Sequence, residues 1–225
     1  MTATGAAARR ERARQEMREA ILESTRRLIA TEGIAHLSMR AIARDLGYSP
    51  AALYEYFPAR EDVCRALYFE GADGLAGRMA RALAALPADV SPAEAMGELG
   101  RAYRAYALEN SELFRLVFSS TVAGFTPNEI ELGRSKGGFD LLIATARRGI
   151  EAGQFVSMPP EVVAAACWAS VHGFVMLELS GLLAARAGTN ASEGAGSAEL
   201  DALFETKLRL LATGVLRRET PVDSR

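Results

Sequence analysis

The chain is poor in the residues that build metal centres, disulfide frameworks and catalytic dyads. Among its 225 residues there are two cysteines, two histidines and one tryptophan. Cys64 and Cys167 are widely separated, so neither a disulfide framework nor a zinc-ligand spacing can be assembled from them. A reduced, cytoplasmic setting is the default for such a chain. His36 and His172 fall in different segments, and no His–Cys–Asp cluster or nucleophile–base pair stands out. Strand-like alternation is missing. So is a strand–glycine loop–helix unit for holding phosphate, because Gly71, Gly74 and Gly77 lie within a helical pattern. The Ala- and Arg-rich first residues have no apolar stretch of the kind a secretory signal needs. The net charge is only −2, which argues against an architectural DNA binder that coats nucleic acid by charge alone. Together these absences predict a protein that is not an enzyme and holds no cofactor or metal.

What is present is helical. Ala, Leu, Arg and Glu dominate, with 49% apolar and 24% charged residues, an ordinary globular balance. Charge is unevenly placed: residues 1–60 carry ten arginines against seven acids, and the remainder carries 16 basic against 21 acidic residues. A basic end on an acidic body suggests a local anionic partner. Helices are predicted at about Arg12–Glu32, Met39–Leu46 with Ser38 as N-cap, and Ser49–Phe57 with Pro50 in the first turn. Further helices are predicted at about Arg60–Leu86, Pro92–Glu109, Ser111–Ser119, Asn128–Ala152, Pro160–Ala187 and Glu199–Arg217. The segment Gly188–Ser197, GTNASEGAGS, reads as a flexible loop. Val162–Ala185 is long enough to cross a bilayer, but it contains His172 and Glu178, which are costly in lipid. A buried bundle helix is therefore expected, with no membrane partner.

The segment Ser38–Phe57, SMRAIARDLGYSPAALYEYF, has the form of a helix-turn-helix, with Gly47-Tyr48-Ser49 as the turn. The start of its second helix, Ser49, Pro50, Ala51 and Ala52, is small enough for close approach to base edges in a major groove. The alanines offer methyl groups but no hydrogen bonds, so polar readout falls to neighbours, Arg40 first. Tyr54 and Tyr56 suit phosphate contacts that set register, and Arg60 adds a charge at a helix start. Ser38 and Tyr48 complete the candidate DNA-binding set. A tight helical corner with amphipathic surface tyrosines is the alternative reading of the same residues.

Residues 21–67 resemble the N-terminal domain of the tetracycline-repressor (TetR) family of bacterial transcription regulators. The likeness rests on Thr31-Glu32-Gly33, Ser38-Met39-Arg40-Ala41-Ile42-Ala43, Leu46-Gly47-Tyr48-Ser49, Leu53-Tyr54 and Tyr56-Phe57. Ala59-Arg60 replaces the Asn-Lys or Ser-Lys common at that point in the family, with the charge kept. Trp168, His172-Gly173 and Leu177-Glu178 resemble the Trp-His-Gly type of C-terminal domain. The resemblance implies a homodimer joined by a four-helix bundle, double-stranded operator DNA as partner, and a small-molecule pocket in each body.

The expected organisation is all-α: a helix-turn-helix DNA-binding domain at 12–65 and a larger helical effector-binding and dimerisation domain at 66–220. Ala165, Ala169, Gly173, Leu177, Gly181 and Ala185 recur every four residues and suit close helix packing. With Leu211 on the last helix they are the candidate dimer interface, although both helices could instead pack within one subunit. Glu178 is expected at that interface or at a solvent-facing helix end. Tyr103, Tyr106, Phe114, Phe118, Phe139, Trp168, His172 and Met176 are candidate lining for a pocket, and equally ordinary core residues. The function expected is that of a repressor released from a palindromic operator by an apolar or aromatic ligand. A helical enzyme, or a structural dimer with no specific DNA site, is the alternative.

Overall fold

A computed structural model describes residues 3–118, 127–134, 136–187 and 195–215. Every element in them is helical: α1 (Ala3–Glu32), a 3-10 turn (Ile34–His36), α2 (Met39–Leu46), α3 (Pro50–Tyr54), α4 (Arg60–Ala84), α5 (Pro92–Glu109), α6 (Ser111–Phe118), α7 (Glu129–Arg134), α8 (Gly137–Glu151), α9 (Pro160–Leu179), α10 (Leu182–Ala187) and α11 (Ala195–Val215). The all-α expectation holds.

Several boundaries differ from those read in the sequence. The first helix begins at Ala3 rather than Arg12, because the Ala-, Arg- and Glu-rich stretch after Gly5 favours helix and contains no proline. The third stops at Tyr54, leaving Tyr56 in the turn beyond it. The helix expected over Asn128–Ala152 is two helices, α7 and α8. The helix expected over Pro160–Ala187 ends at Leu179, and Gly181 takes a left-handed conformation (φ 74°) before α10. Only glycine adopts that backbone without strain. The last helix starts at Ala195, so residues 195–197 are not loop. Residues 188–194 of the expected loop, Ser119, and residues 216–217 of the last helix lie outside the described residues.

Two compact units emerge, Met1–Asp73 with Glu112–Ser135, and Gly74–Ser111 with Lys136–Arg225. The boundary between these packing units falls inside α4, between Asp73 and Gly74. In the first unit Ile21, Ile42, Leu53, Phe57, Val63, Leu67 and Leu116 share one core. Thr25 is fully buried there and returns its hydroxyl to the Ile21 carbonyl at 2.7 Å, so its polar atom costs little. Ser24, also fully buried, donates to the Asp45 carboxylate on α2 at 2.5 Å. That contact ties α1 to the corner that follows.

In the second unit α9 packs on α8, α5 and α11. Val163, Ala164, Cys167, Val171 and Val175 form its buried face. Small residues permit the close approaches: a Cβ on Gly100 would meet Leu208 at 3.0 Å, and one on Gly149 would meet the Phe155 ring at 2.4 Å. The capping box between Ser91 and Glu94 fixes the start of α5. Among the described helices α9 alone is long and apolar enough to cross a bilayer. It still carries Glu178, held by the Arg104 guanidinium at 2.5 and 2.7 Å, while Asp201 takes a third guanidinium bond at 2.7 Å. With side-chain exposures of 11% for Arg104 and 7% for Glu178, this is a buried ion pair. Glu178 lies in the last turn of α9 with its side chain covered. Its charge is answered from α5, within the same chain.

Candidate nucleic-acid interface and ligand cavity

The corner between α2 and α3 is built by three local devices. The Ser38 hydroxyl accepts from the Ala41 amide at 3.1 Å, and the Ser49 hydroxyl accepts from the Ala52 amide at 3.3 Å. Each satisfies a backbone donor that a helix start would leave open. Gly47, left-handed at φ 74°, ends α2 and returns its amide to the Ala43 and Arg44 carbonyls. Met39, Ala41, Ile42, Ala43 and Leu53 point inward.

The opposite side of the corner faces solvent. Arg40, Arg44, Ser49, Ala51 and Tyr54 are exposed, with Tyr48 at 50% and Tyr54 at 49%. Asp45, the acid on α2, is occupied: the Ser24 hydroxyl and the Arg27 guanidinium hold its carboxyl below the usual range. The side chains of Arg40 and Arg44 have no hydrogen bond or ion pair among the described residues. The outward charge of α2 is thus positive.

The ten DNA-binding candidates do not all stand alike. Arg40, Tyr48, Ser49, Ala51 and Tyr54 are exposed, while Ser38, Pro50, Ala52, Tyr56 and Arg60 are half-buried. Ser38 and Ser49 spend their hydroxyls as caps. Arg60 reaches the Leu37 carbonyl and the Glu61 carboxylate, both at 3.4 Å, long enough to be exchanged for another acceptor. Tyr56 packs on the core of the first unit.

Two positioning residues escaped the sequence reading. Arg18 on α1 donates to the Tyr56 carbonyl, and its guanidinium lies 4.0 Å over the Phe57 ring. Arg14, one turn earlier, donates to the Glu55 carbonyl at 3.4 Å. Together they hold the chain leaving α3, whose last carbonyls would otherwise be open. The i, i+4 spacing of these arginines was the available signal, but nothing local names their acceptors, 38 and 41 residues away.

The second unit encloses a narrow cavity of about 40 Å³, measured as room for water-sized spheres. Its wall is largely apolar: Met79, Met96, Leu99, Leu142, Phe155, Trp168, Val171, Leu208 and Leu211 among others. Tyr103 and Trp168 are the two pocket candidates that reach it. They belong to a hydrogen-bonded relay, Trp168 Nε1 donating to the Tyr103 oxygen at 3.2 Å and the Tyr103 hydroxyl meeting His172 Nδ1 at 2.8 Å. Burial pushes the Tyr103 hydroxyl well above its ordinary range and lowers His172. Which partner donates in the Tyr103–His172 bond is set by the imidazole tautomer. Phe139 lies edge-on to Trp168, ring centroids 5.7 Å apart. Tyr106 rests against Gly74, where a Cβ would sit 2.6 Å from its hydroxyl. Met176 is half-buried on α9 outside the cavity wall. Phe114 and Phe118 belong to the first unit, their rings tilted at 50° with centroids 4.7 Å apart. Cys167 reaches the cavity wall with its thiol pushed up by burial, which leaves it a packing group rather than a nucleophile.

The interface candidates form an open face. Ala165, Ala169, Leu177 and Gly181 are exposed, and a Cβ on Gly173 would meet nothing within 4 Å. On α11, Leu203 and Leu210 are exposed at 40% and 68%, whereas Leu211 turns inward to the cavity.

Comparison with known proteins agrees with this geometry. Residues 21–67 match the description of bacterial regulatory proteins of the tetR family, and residues 96–208 match the tetracyclin repressor-like C-terminal domain. The HTH-type transcriptional regulator Mb1846 of Mycobacterium bovis is 33% identical over 117 residues, 52% of this chain and 50% of that protein. The chain thus spans about half the length of that relative. The HTH-type transcriptional regulator Rv0681 of Mycobacterium tuberculosis is 25% identical over 203 residues, 90% of this chain and 83% of its own. Among solved structures, a TetR family transcription regulator from Marinobacter aquaeolei VT8 superimposes with a TM-score of 0.66 at 20% identity, over 94% of this chain and 100% of that one, a likeness of fold.

Proposed function

The chain belongs to the tetR family of bacterial regulatory proteins, a family of transcription regulators and not of enzymes, and from that membership we propose that it is a cytoplasmic homodimeric repressor released from operator DNA by an apolar ligand. The observation that carries the DNA half is the α2–α3 corner, capped at both helix starts and presenting Arg40, Tyr48 and Tyr54 to solvent. Arg40 reads a base edge, and Tyr54, Tyr56 and Arg60 bind phosphates on either side. Ser38 and Ser49 serve mainly by fixing the helix starts, while Tyr48, Pro50, Ala51 and Ala52 contribute close contact in the groove. Residues 12–65 act as the DNA-binding domain and 66–220 as the effector and dimerisation domain.

Dimerisation uses the open face of α9, Ala165, Ala169, Gly173 and Leu177, together with Leu203 and Leu210 of α11. Among the described residues nothing covers this apolar face, and a second copy would bury it. Two corners would then address half-sites about one DNA turn apart, roughly 34–36 Å, on a palindromic operator.

The effector site is the cavity beside Tyr103 and Trp168. Its wall favours an apolar or aromatic molecule, and the relay through Tyr103 and His172 offers one polar anchor. At about 40 Å³ the cavity holds only a few waters. A ligand of ordinary size must therefore bind a wider state, which is how binding could select a conformation unfit for DNA. Turning a mostly bound repressor into a mostly free one takes roughly 5 kcal/mol of differential affinity. The test is a screen of apolar metabolites that follows Trp168 emission and DNA affinity together. A compound that binds beside Trp168 with equal affinity in the presence and absence of DNA would break the coupling, which linkage requires to be reciprocal.

A further inference from the structure

The face of α1 that holds the end of α3 continues one turn past its last acceptor. Arg18 donates to the Tyr56 carbonyl and Arg14 to the Glu55 carbonyl. Arg10, four residues earlier and on the same face, lines the surface groove formed with Arg14, Glu55 and Tyr56. It is exposed and has no hydrogen bond or ion pair among the described residues. Glu11 and Glu55 also line that groove, yet neither pairs with Arg10. Residues 3–18 carry five arginines against two glutamates, and this stretch precedes residue 21, where the match to the family's N-terminal description begins.

We propose that the N-terminal extension of α1 is an additional DNA-backbone contact, in which Arg10 binds a phosphate next to the one taken at Tyr56. This inference rests on the DNA-binding reading above and extends it to residues outside the helix-turn-helix. The register supplies the reason. The two guanidinium groups at Arg18 and Arg14 match successive carbonyls of the descending chain, and the third finds none. An exposed guanidinium on the same helix face as those contacts, at the groove beside Tyr56, is arranged for an anion. Its neighbour across the groove is Tyr56, placed at the DNA backbone by the same reading. The arm adds affinity and salt dependence and reads no sequence.

The test compares two arginines of equal charge on opposite sides of α1. Arg10 faces the groove, and Arg12, two residues on, points about 160° away from the Arg14 side. Both are exchanged for alanine, which favours helix, in the full chain, with far-UV dichroism as a check on folding. Affinity for a genomic duplex selected by the unaltered chain is measured across a salt series. Loss of one phosphate contact per half-site should reduce the steepness of log K against log salt by about 0.9 per protomer, about 1.8 per dimer. Arg10→Ala is expected to show that change on the selected duplex and on a random-sequence duplex alike, and Arg12→Ala a much smaller one. Equal effects from both variants would mean a diffuse field and no contact, which overturns the inference. Unchanged slopes for both would also overturn it while leaving the helix-turn-helix reading standing. If the unaltered chain selects no duplex at all, the DNA reading itself fails and takes this contact with it.

Discussion

Arg18→Ala removes the hold that α1 has on the end of α3, and its effect can be worked out from two contacts. The guanidinium donates to the Tyr56 carbonyl and lies 4.0 Å over the Phe57 ring. A hydrogen bond from a charged group contributes about 1.5–3 kcal/mol, and a partly exposed cation–π contact about 0.5–1 kcal/mol. Arg18 is half-buried, so water can reach the Tyr56 carbonyl once the side chain is gone. The lower end of the sum is therefore appropriate, about 2 kcal/mol. The loss should be local. The amides of Tyr56 and Phe57 both donate to the Leu53 carbonyl at 3.0 Å, and these bonds break when the end of α3 opens. Hydrogen exchange reads such openings directly. A change of about 2 kcal/mol is roughly a 30-fold acceleration at those two amides, with amides in the buried stretch around Ile21 little altered. Duplex affinity should fall in parallel, because Tyr56 and the start of α4 lose their fixed position. Exchange at Tyr56 and Phe57 unchanged within about threefold, less than 0.7 kcal/mol, would refute the positioning role of Arg18.

Other perturbations separate the remaining roles. Arg40→Ala should cost about 1–3 kcal/mol at one base pair per half-site and relax specificity there. Tyr54→Phe should instead weaken every duplex equally, and a panel of single-base operator variants distinguishes the two. Gly173→Leu meets open space in one chain, so the monomer should keep or gain helix stability, by up to about 0.8 kcal/mol. Sedimentation should nevertheless show weakened dimers, and an unchanged dimer would remove this face of α9 from the interface. Lys207 Nζ is buried without a hydrogen-bond partner among the described residues, 5.6 Å from the centre of the Phe204 ring, and burial lowers its pKa to about 8. The unfolded chain then binds the extra proton between pH 8 and about 10.5, so stability should rise with pH across that window. Lys207→Met should abolish the rise and add about 1–2 kcal/mol at pH 7, less than the full shift implies because the residue is only about half buried. His172 is lowered by burial as well. Its contribution is present above the unfolded value near 6.5 and is lost as pH falls through that point toward the folded pKa. His172→Gln should flatten acid unfolding in that range.

The parts of the fold legible from sequence are those decided by neighbours along the chain. Ser38, Gly47, Ser49 and Pro50 announce the α2–α3 corner because caps and left-handed turns depend on a few adjacent residues. The inward set of Ile42, Leu53 and Phe57 follows from periodicity. Gly181 was harder, since a glycine inside a long apolar run can be packed in a helix or can end one, and only the backbone reveals which. The tyrosines were read as a pair, but the early end of α3 leaves Tyr54 exposed and Tyr56 against the core. What could not be read was decided by distant partners. Glu178 looked anomalous in an apolar helix because Arg104 lies 74 residues away. Arg14 and Arg18 looked like generic surface charge because their acceptors are backbone carbonyls, which sequence does not mark. The same holds for the cavity: the sequence supplied eight aromatic or soft candidates, and only packing singled out Tyr103 and Trp168 as its lining.

The most direct measurement is selection of genomic duplex by the full chain followed by footprinting of the enriched fragments. A dimeric helix-turn-helix regulator predicts protection of an inverted repeat whose half-site centres lie one DNA turn, or a whole multiple of it, apart, and loss of that protection in Arg40→Ala. Enrichment no better than that of random duplex, or protection that spreads evenly without half-sites, would contradict it.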